Sequence, residues 1–258
     1  MTAGIYNTHP MESPRYQLAK ARKTFQGLKP AFASYLDSGP FALVSEDAPS
    51  AGMKRLVLRR IKNPPIEVAD AVNDAFEALR KALDQTGFAV SKASGGRGKK
   101  CGFPFGDSEK EVRGRRTGQS GELPDEIFEL MVGFQPHKDG DQLLWTLNEI
   151  ANTSKHRLTK TYPGSLSCAS LSNLSFTGSG SILGPWRDDL GEMLIVEYTA
   201  DSSFSVGDMS YGVHLVFGTI PVVEGSPIDP VFEYLEVKVT QILDEIEAKC
   251  IQLGIFQS

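Results

Sequence analysis

Residues Ile66–Val90 read IEVADAVNDAFEALRKALDQTGFAV, and this stretch decides how the chain must fold. Val68, Val72, Ala75, Phe76, Leu79, Leu83 and Thr86 recur at helical spacing, while Asp70, Asn73, Asp74, Glu77, Arg80, Lys81 and Asp84 cover the other side. An apolar stripe with that period belongs to a helix laid against a core. Pro64-Pro65 breaks the chain just before it.

Upstream, Ser13-Pro14 reads as a helix start, serine capping and proline in the first turn. The helix it opens carries Tyr16, Leu18, Phe25, Leu28, Phe32 and Tyr35, with Pro30 placed to kink or divide it and Gly39-Pro40 to end it. Residues 1–13 are then a flexible tail. Phe41–Glu46 and Lys54–Lys62 read as a hairpin across the Asp47–Gly52 turn. Downstream, helices are expected at Pro124–Phe134 and Asp141–Leu158. After Thr159 serine, glycine and β-branched residues take over, and Leu166–Phe176, Gly180–Leu183, Glu192–Thr199 and Tyr211–Ile220 read as an antiparallel meander. A last helix, 229–253, shows Val231, Leu235, Val239, Ile242, Ile246 and Cys250 on one side.

Helices and strands are grouped rather than alternating, which favours α+β over a doubly wound parallel sheet. The expected architecture is one domain over 14–258: a helical bundle over 14–158, a mainly β part over 160–226, and the C-terminal helix. The 258 residues suffice for a core without disulfides or a structural metal.

Three cysteines without close spacing suggest free thiols in a reducing cytoplasm. The four histidines are scattered, so no metal site and no cofactor is expected. The absence of a long apolar run argues against a membrane helix. The net charge of −5 offers no global attraction to nucleic acid.

Residues 91–122 depart from that charge. Eight basic residues face four acidic ones, so the segment is net +4. It reads as a mobile basic insertion with an apolar island at Cys101–Phe105 that tucks into the core and a short helix over Ser108–Arg116. Ala93-Ser-Gly-Gly-Arg-Gly98-Lys99-Lys100 approaches a phosphate-binding loop, but Ala93 replaces its first glycine and Lys100 its magnesium-binding hydroxyl. Arg97, Lys99, Lys100, Arg113, Arg115 and Arg116 are candidates for phosphate contact, with Phe103 and Phe105 available to stack on bases. Cys101 sits beside cations that would lower its pKa, or it packs with Phe103 and Phe105 as an inert thiol.

On an ideal helix Asn148, Asn152, Lys155 and Thr159 form one line, with Trp145 and His156 beside it. Two readings are open. Lys155 and His156 bind an anion or move a proton in a pocket whose ligand is oriented by Asn148, Asn152, Asp84 and Trp145. Alternatively these groups form a helix-end network bridging to Arg80 or Asp84.

Taken in order, Ala-Leu-Arg80-Lys-Ala-Leu-Asp84, Phe103-Pro104-Phe105, Gln135-Pro136-His137 and Leu144-Trp145-x-Leu-Asn148-x-Ile-x-Asn152-x-x-Lys155-His156-Arg157 resemble segments of a group of uncharacterised bacterial proteins. The helix bearing Arg80 is also similar to the arginine-and-histidine helix of the HEPN superfamily, many of whose members are ribonucleases. The resemblance implies a helical RNA- or partner-binding protein, or an active metal-independent ribonuclease using Arg80, Lys155 and His156. A small anion-binding protein is the third reading. The histidine position is occupied by Gln85, which cannot serve as a general base near neutral pH. Oligomeric state is not set by any of these features.

Overall fold

The computed structural model describes residues 9–154, 161–171, 175–177, 180–182, 186–187, 190–199, 203–205, 209–218 and 220–257. The fold is α+β. Six α-helices are present among these residues: α1 Glu12–Asp37, α2 Ile66–Ala93, α3 Glu109–Gly114, α4 Asp125–Gly133, α5 Gln142–Ser154 and α6 Ile228–Gln252. The nine strands are β1 Phe41–Asp47, β2 Met53–Arg60, β3 Thr161–Leu171, β4 Ser175–Thr177, β5 Gly180–Ile182, β6 Trp186–Arg187, β7 Glu192–Thr199, β8 Ser203–Ser205 and β9 Met209–Phe217.

The α2 stripe read from the sequence is buried throughout, and α2 packs against α1, α5 and α6. Aromatic rings lock that arrangement. Phe25 of α1 stacks on Phe232 of α6 with centroids 3.9 Å apart. Phe76 of α2 meets Phe232 edge-on at 5.6 Å and Phe217 of β9 at 5.4 Å. These rings join three helices and one strand, with the quadrupole-favoured edge geometry at two of the three contacts.

The hairpin β1–β2 forms as expected, and β2 then pairs with β7. Sheet order is β1-β2-β7-β5, with β6 also on β7, so an early hairpin and late strands share one sheet. Every pairing is antiparallel, and the late strands nest: β3 pairs β9 and β4 pairs β8. Arg55 and Arg59 each pair with both Glu46 and Glu192, linking β1, β2 and β7 across one face.

Three boundaries differ from expectation. First, α1 begins at Glu12, and Met11 ahead of it is fully buried, so the ordered body reaches into the expected 1–13 tail. Ser13 is not its cap; the Ser13 hydroxyl donates to Gln85 instead. Second, Pro30 does not divide the helix but lies inside a continuous α1. Third, residues 91–122 are built into the body rather than inserted as a mobile loop. The Cys101–Phe105 island tucks into the core as expected, and Val112 of α3 joins it there. The segment crosses α2 so closely that a Cβ on Gly87 would overlap the Cys101 carbonyl. Glycine in a helix interior is unfavourable by about 1 kcal/mol, and this close crossing is what requires it.

Candidate functional site

The crossing of 101–107 over α2 and α5 organises the first cluster. Arg80 projects from α2 beneath this segment, its guanidinium 4.4 Å from the Phe105 ring centroid. Its Nε–H donates to Asn148 Oδ1 on α5 at 3.3 Å. Nη1 makes an ion pair with Asp84, one turn along the same helix, without hydrogen-bond alignment. Asp84 in turn accepts the Phe103 amide at 3.2 Å, and the Trp145 indole donates to Asp107 at 3.1 Å. Arg80, Asp84 and Asn148 are thus brought together, and Trp145 is tied to the same crossing segment through Asp107. They hold the Phe103-Pro104-Phe105 segment to the helices. The Arg80 side chain is only 12% exposed. A ligand would have to displace Phe105 and Asn148 to reach it.

Asn152, one turn further along α5, is exposed. Lys155 and His156 lie outside the described residues, as does the end of the polar line at Thr159. The histidine position of the resembled motif, Gln85, spends its side-chain oxygen on the Ser13 hydroxyl at 2.7 Å.

The basic candidates separate into two sets. Arg113 pairs with Glu109 and Glu129. Arg115 donates to the Phe105 carbonyl at 3.0 Å. Arg116 pairs with Asp125, donates to the Ser120 carbonyl and lies over the Phe128 ring. These three arginines hold α3, the turn after it and α4 together. By contrast Arg97, Lys99 and Lys100, with Lys92 at the end of α2, are exposed, and among the described residues none of their side chains has an ionic partner.

What presents that second set is Glu122. The Gly98 amide donates to its Oε2 at 2.6 Å, the Lys99 amide at 3.2 Å and the Ser91 hydroxyl at 2.8 Å. The Ser91 bond, then the backbone amides, hold the Glu122 carboxyl below its ordinary pKa. The glycine-rich run therefore does form an anion nest, of the kind that cradles phosphates, but an internal carboxylate occupies it. Gly98 adopts φ +75°, and a Cβ there would overlap the Phe88 ring.

Phe88, Lys92 and Glu122 were not among the sequence candidates. Phe88 carried a signal: it is a large aromatic lying off the buried stripe of α2, and it is 48% exposed. With Pro10, Ser13, Gln85, Ala89, Lys92 and Ala93 it lines a groove of about 850 Å³.

Cys101 is buried. Burial, then the charges of Glu122 and Asp84, push its thiol up rather than down. The cations adjacent in sequence do not activate it. Among the described residues no cluster of histidine, cysteine and carboxylate side chains is placed to hold a metal, and no helix is long and apolar enough to cross a membrane.

Comparison with protein families, with curated proteins and with solved structures found no match to this chain.

Proposed function

We propose that the chain is a non-catalytic helical protein that binds single-stranded RNA through the 95–100 loop and the end of α2. One observation carries the reading: Lys92 at the end of α2 and Arg97, Lys99 and Lys100 on a loop whose backbone is fixed by Glu122 stand exposed and, among the described residues, without ionic partners. Unpaired cations on a pinned backbone suit a phosphate chain, and their contacts are electrostatic and blind to sequence. The chain's overall acidity is compatible with this, because steering depends on the local patch.

The non-catalytic part follows from Arg80 and Gln85. A guanidinium stabilising a phosphodiester must touch it, and Arg80 is covered by Phe105 and bonded to Asn148. An amide side chain at Gln85 takes no proton from a ribose hydroxyl. Buried free thiols at Cys101 and Cys250 support a cytoplasmic setting.

The test is fluorescence anisotropy with a labelled single-stranded RNA across a salt series, followed by inspection of the RNA for cleavage. Intact RNA should be retained at low salt. The combined Arg97→Ala, Lys99→Ala, Lys100→Ala variant should lower the slope of log affinity against log salt by about 2. No retention, or an unchanged slope, removes the reading. Cleavage abolished by His156→Ala would establish the ribonuclease instead.

A further inference from the structure

We infer that the Phe88 groove is a nucleobase site, in which one unpaired base of the bound strand stacks on the Phe88 ring while its phosphates lie on the neighbouring cationic loop. The inference rests on the RNA reading above and assigns the base-contacting surface, which that reading leaves open.

The groove and the loop are a single surface. Gly98 packs directly on the Phe88 ring and on the Lys92 stem, with no room for a side chain between them. Arg97 and Lys99 flank Gly98 in sequence, so ring and cations are adjacent by construction. Gln85, Phe88, Ala89 and Lys92 follow one another at spacings of three, one and three along α2, which puts them on one side of the helix. Pro10 and Ser13 form the opposing wall. The resulting lining is mostly apolar with a few polar groups, and its volume falls in the range that holds small molecules.

The chemistry of the lining fits a base. A half-exposed aromatic ring offers a stacking face that any base can use. The Gln85 oxygen is engaged by Ser13, so its amide nitrogen is left to donate to a ring nitrogen or carbonyl on a base edge. Lys92 at the rim and the three loop cations complement the strand's negative charge, which selects a polyanion over an apolar peptide as the occupant.

The experiment uses the full chain and a labelled single-stranded RNA, together with the same strand carrying abasic positions. Phe88→Ala should weaken binding to the intact strand about tenfold and leave the salt slope unchanged, because stacking releases no counterions. Phe88→Trp should bind as tightly as wild type or more so. The abasic strand should bind wild type and Phe88→Ala equally, closing a double-mutant cycle on the base–ring contact. If wild type binds RNA with the expected salt dependence and Phe88→Ala is indistinguishable from it, the base site is wrong and the RNA reading stands. If wild type binds no RNA, both fall. Concentration-dependent self-association lost in Phe88→Ala, with RNA affinity unchanged, would assign the groove to a second copy of the chain and overturn the inference.

Discussion

Arg80 on α2 donates its Nε–H to Asn148 on α5 across 3.3 Å, and the same guanidinium lies against the Phe105 ring and the Asp84 carboxylate. One side chain therefore ties two helices and a crossing segment together. Arg80→Ala should destabilise the protein by about 1–3 kcal/mol in denaturant unfolding, the range for losing a charged hydrogen bond in a mostly buried setting. Arg80→Lys should recover only part, since an ammonium lacks the planar fork that bonds Asn148 while lying on the ring. RNA affinity measured well below the unfolding midpoint should not change in either variant. A selective loss of RNA binding would return Arg80 to the contact surface.

Glu122 fixes the loop by accepting from Gly98, Lys99 and Ser91. Glu122→Ala should release the loop without unfolding the core. Limited trypsin digestion should then cut faster after Arg97, Lys99 and Lys100, while the melting temperature moves little. The pH dependence has a definite sign. A carboxylate whose folded pKa is depressed stabilises above its ordinary pKa, and that contribution is lost as pH falls through the depressed value. Protection of the Gly98 and Lys99 amides from hydrogen exchange should therefore persist past the ordinary carboxylate value of 4.5 and fail only as pH falls through the depressed value.

The helical body was legible in the sequence because burial and helical period coincide. Every member of the α2 stripe named in advance is buried, as are Val231, Leu235, Val239, Ile242, Ile246 and Cys250 on α6. The Cys101–Phe105 island was legible for a simpler reason, as a run of large apolar residues inside a polar segment. The status of 91–122 was not, because a run of lysine and arginine looks alike whether the cations meet water or internal carboxylates. Arg113 and Arg116 find Glu129 and Asp125 on α4, and no local pattern announces those partners. The pairing of β2 with β7 was hidden likewise, since antiparallel register between strands more than a hundred residues apart leaves no periodic trace. At the candidate site, helix geometry put Asn148 on a polar line of α5, but its meeting with Arg80 was only one of the two readings left open. The role of Glu122 was not, because its partners are mostly backbone amides, which the sequence does not display.

Burial also sets the reactivity of the Cys101 and Cys250 thiols. Desolvation, with Glu247 nearby, pushes the Cys250 thiol up to about 12, and Cys101 is raised by burial and by Glu122 and Asp84. The thiolate is the nucleophile, so both should resist an aromatic disulfide reagent in the native state at pH 8. In a Cys168→Ser background, which isolates them, labelling should be far slower than for a free cysteine and should become rapid in denaturant. Fast native labelling of Cys101 would show that the crossing segment opens.

Asp141 accepts the Leu144 amide at 2.9 Å as the cap of α5, and its other oxygen takes the Tyr234 hydroxyl at 2.8 Å and the Lys238 ammonium at 3.0 Å from α6. Desolvation, reinforced by the hydrogen bond to Asp141, pushes the Tyr234 phenol up to about 12. A raised pKa means that folding favours the protonated phenol. Its contribution is complete below the ordinary value of 10 and is lost as pH rises through the folded value. Tyr234→Phe should lower stability by about 0.5–1.5 kcal/mol at neutral pH, the worth of one hydrogen bond, and the gap from wild type should close as pH climbs towards 12. Asp141→Ala should cost more, because it removes the cap of α5 and leaves Lys238 without its carboxylate. Urea melts of the three proteins across the alkaline range check both the order and the sign. A Tyr234→Phe gap that widens with pH would mean that the phenolate, not the phenol, is the form that the fold holds.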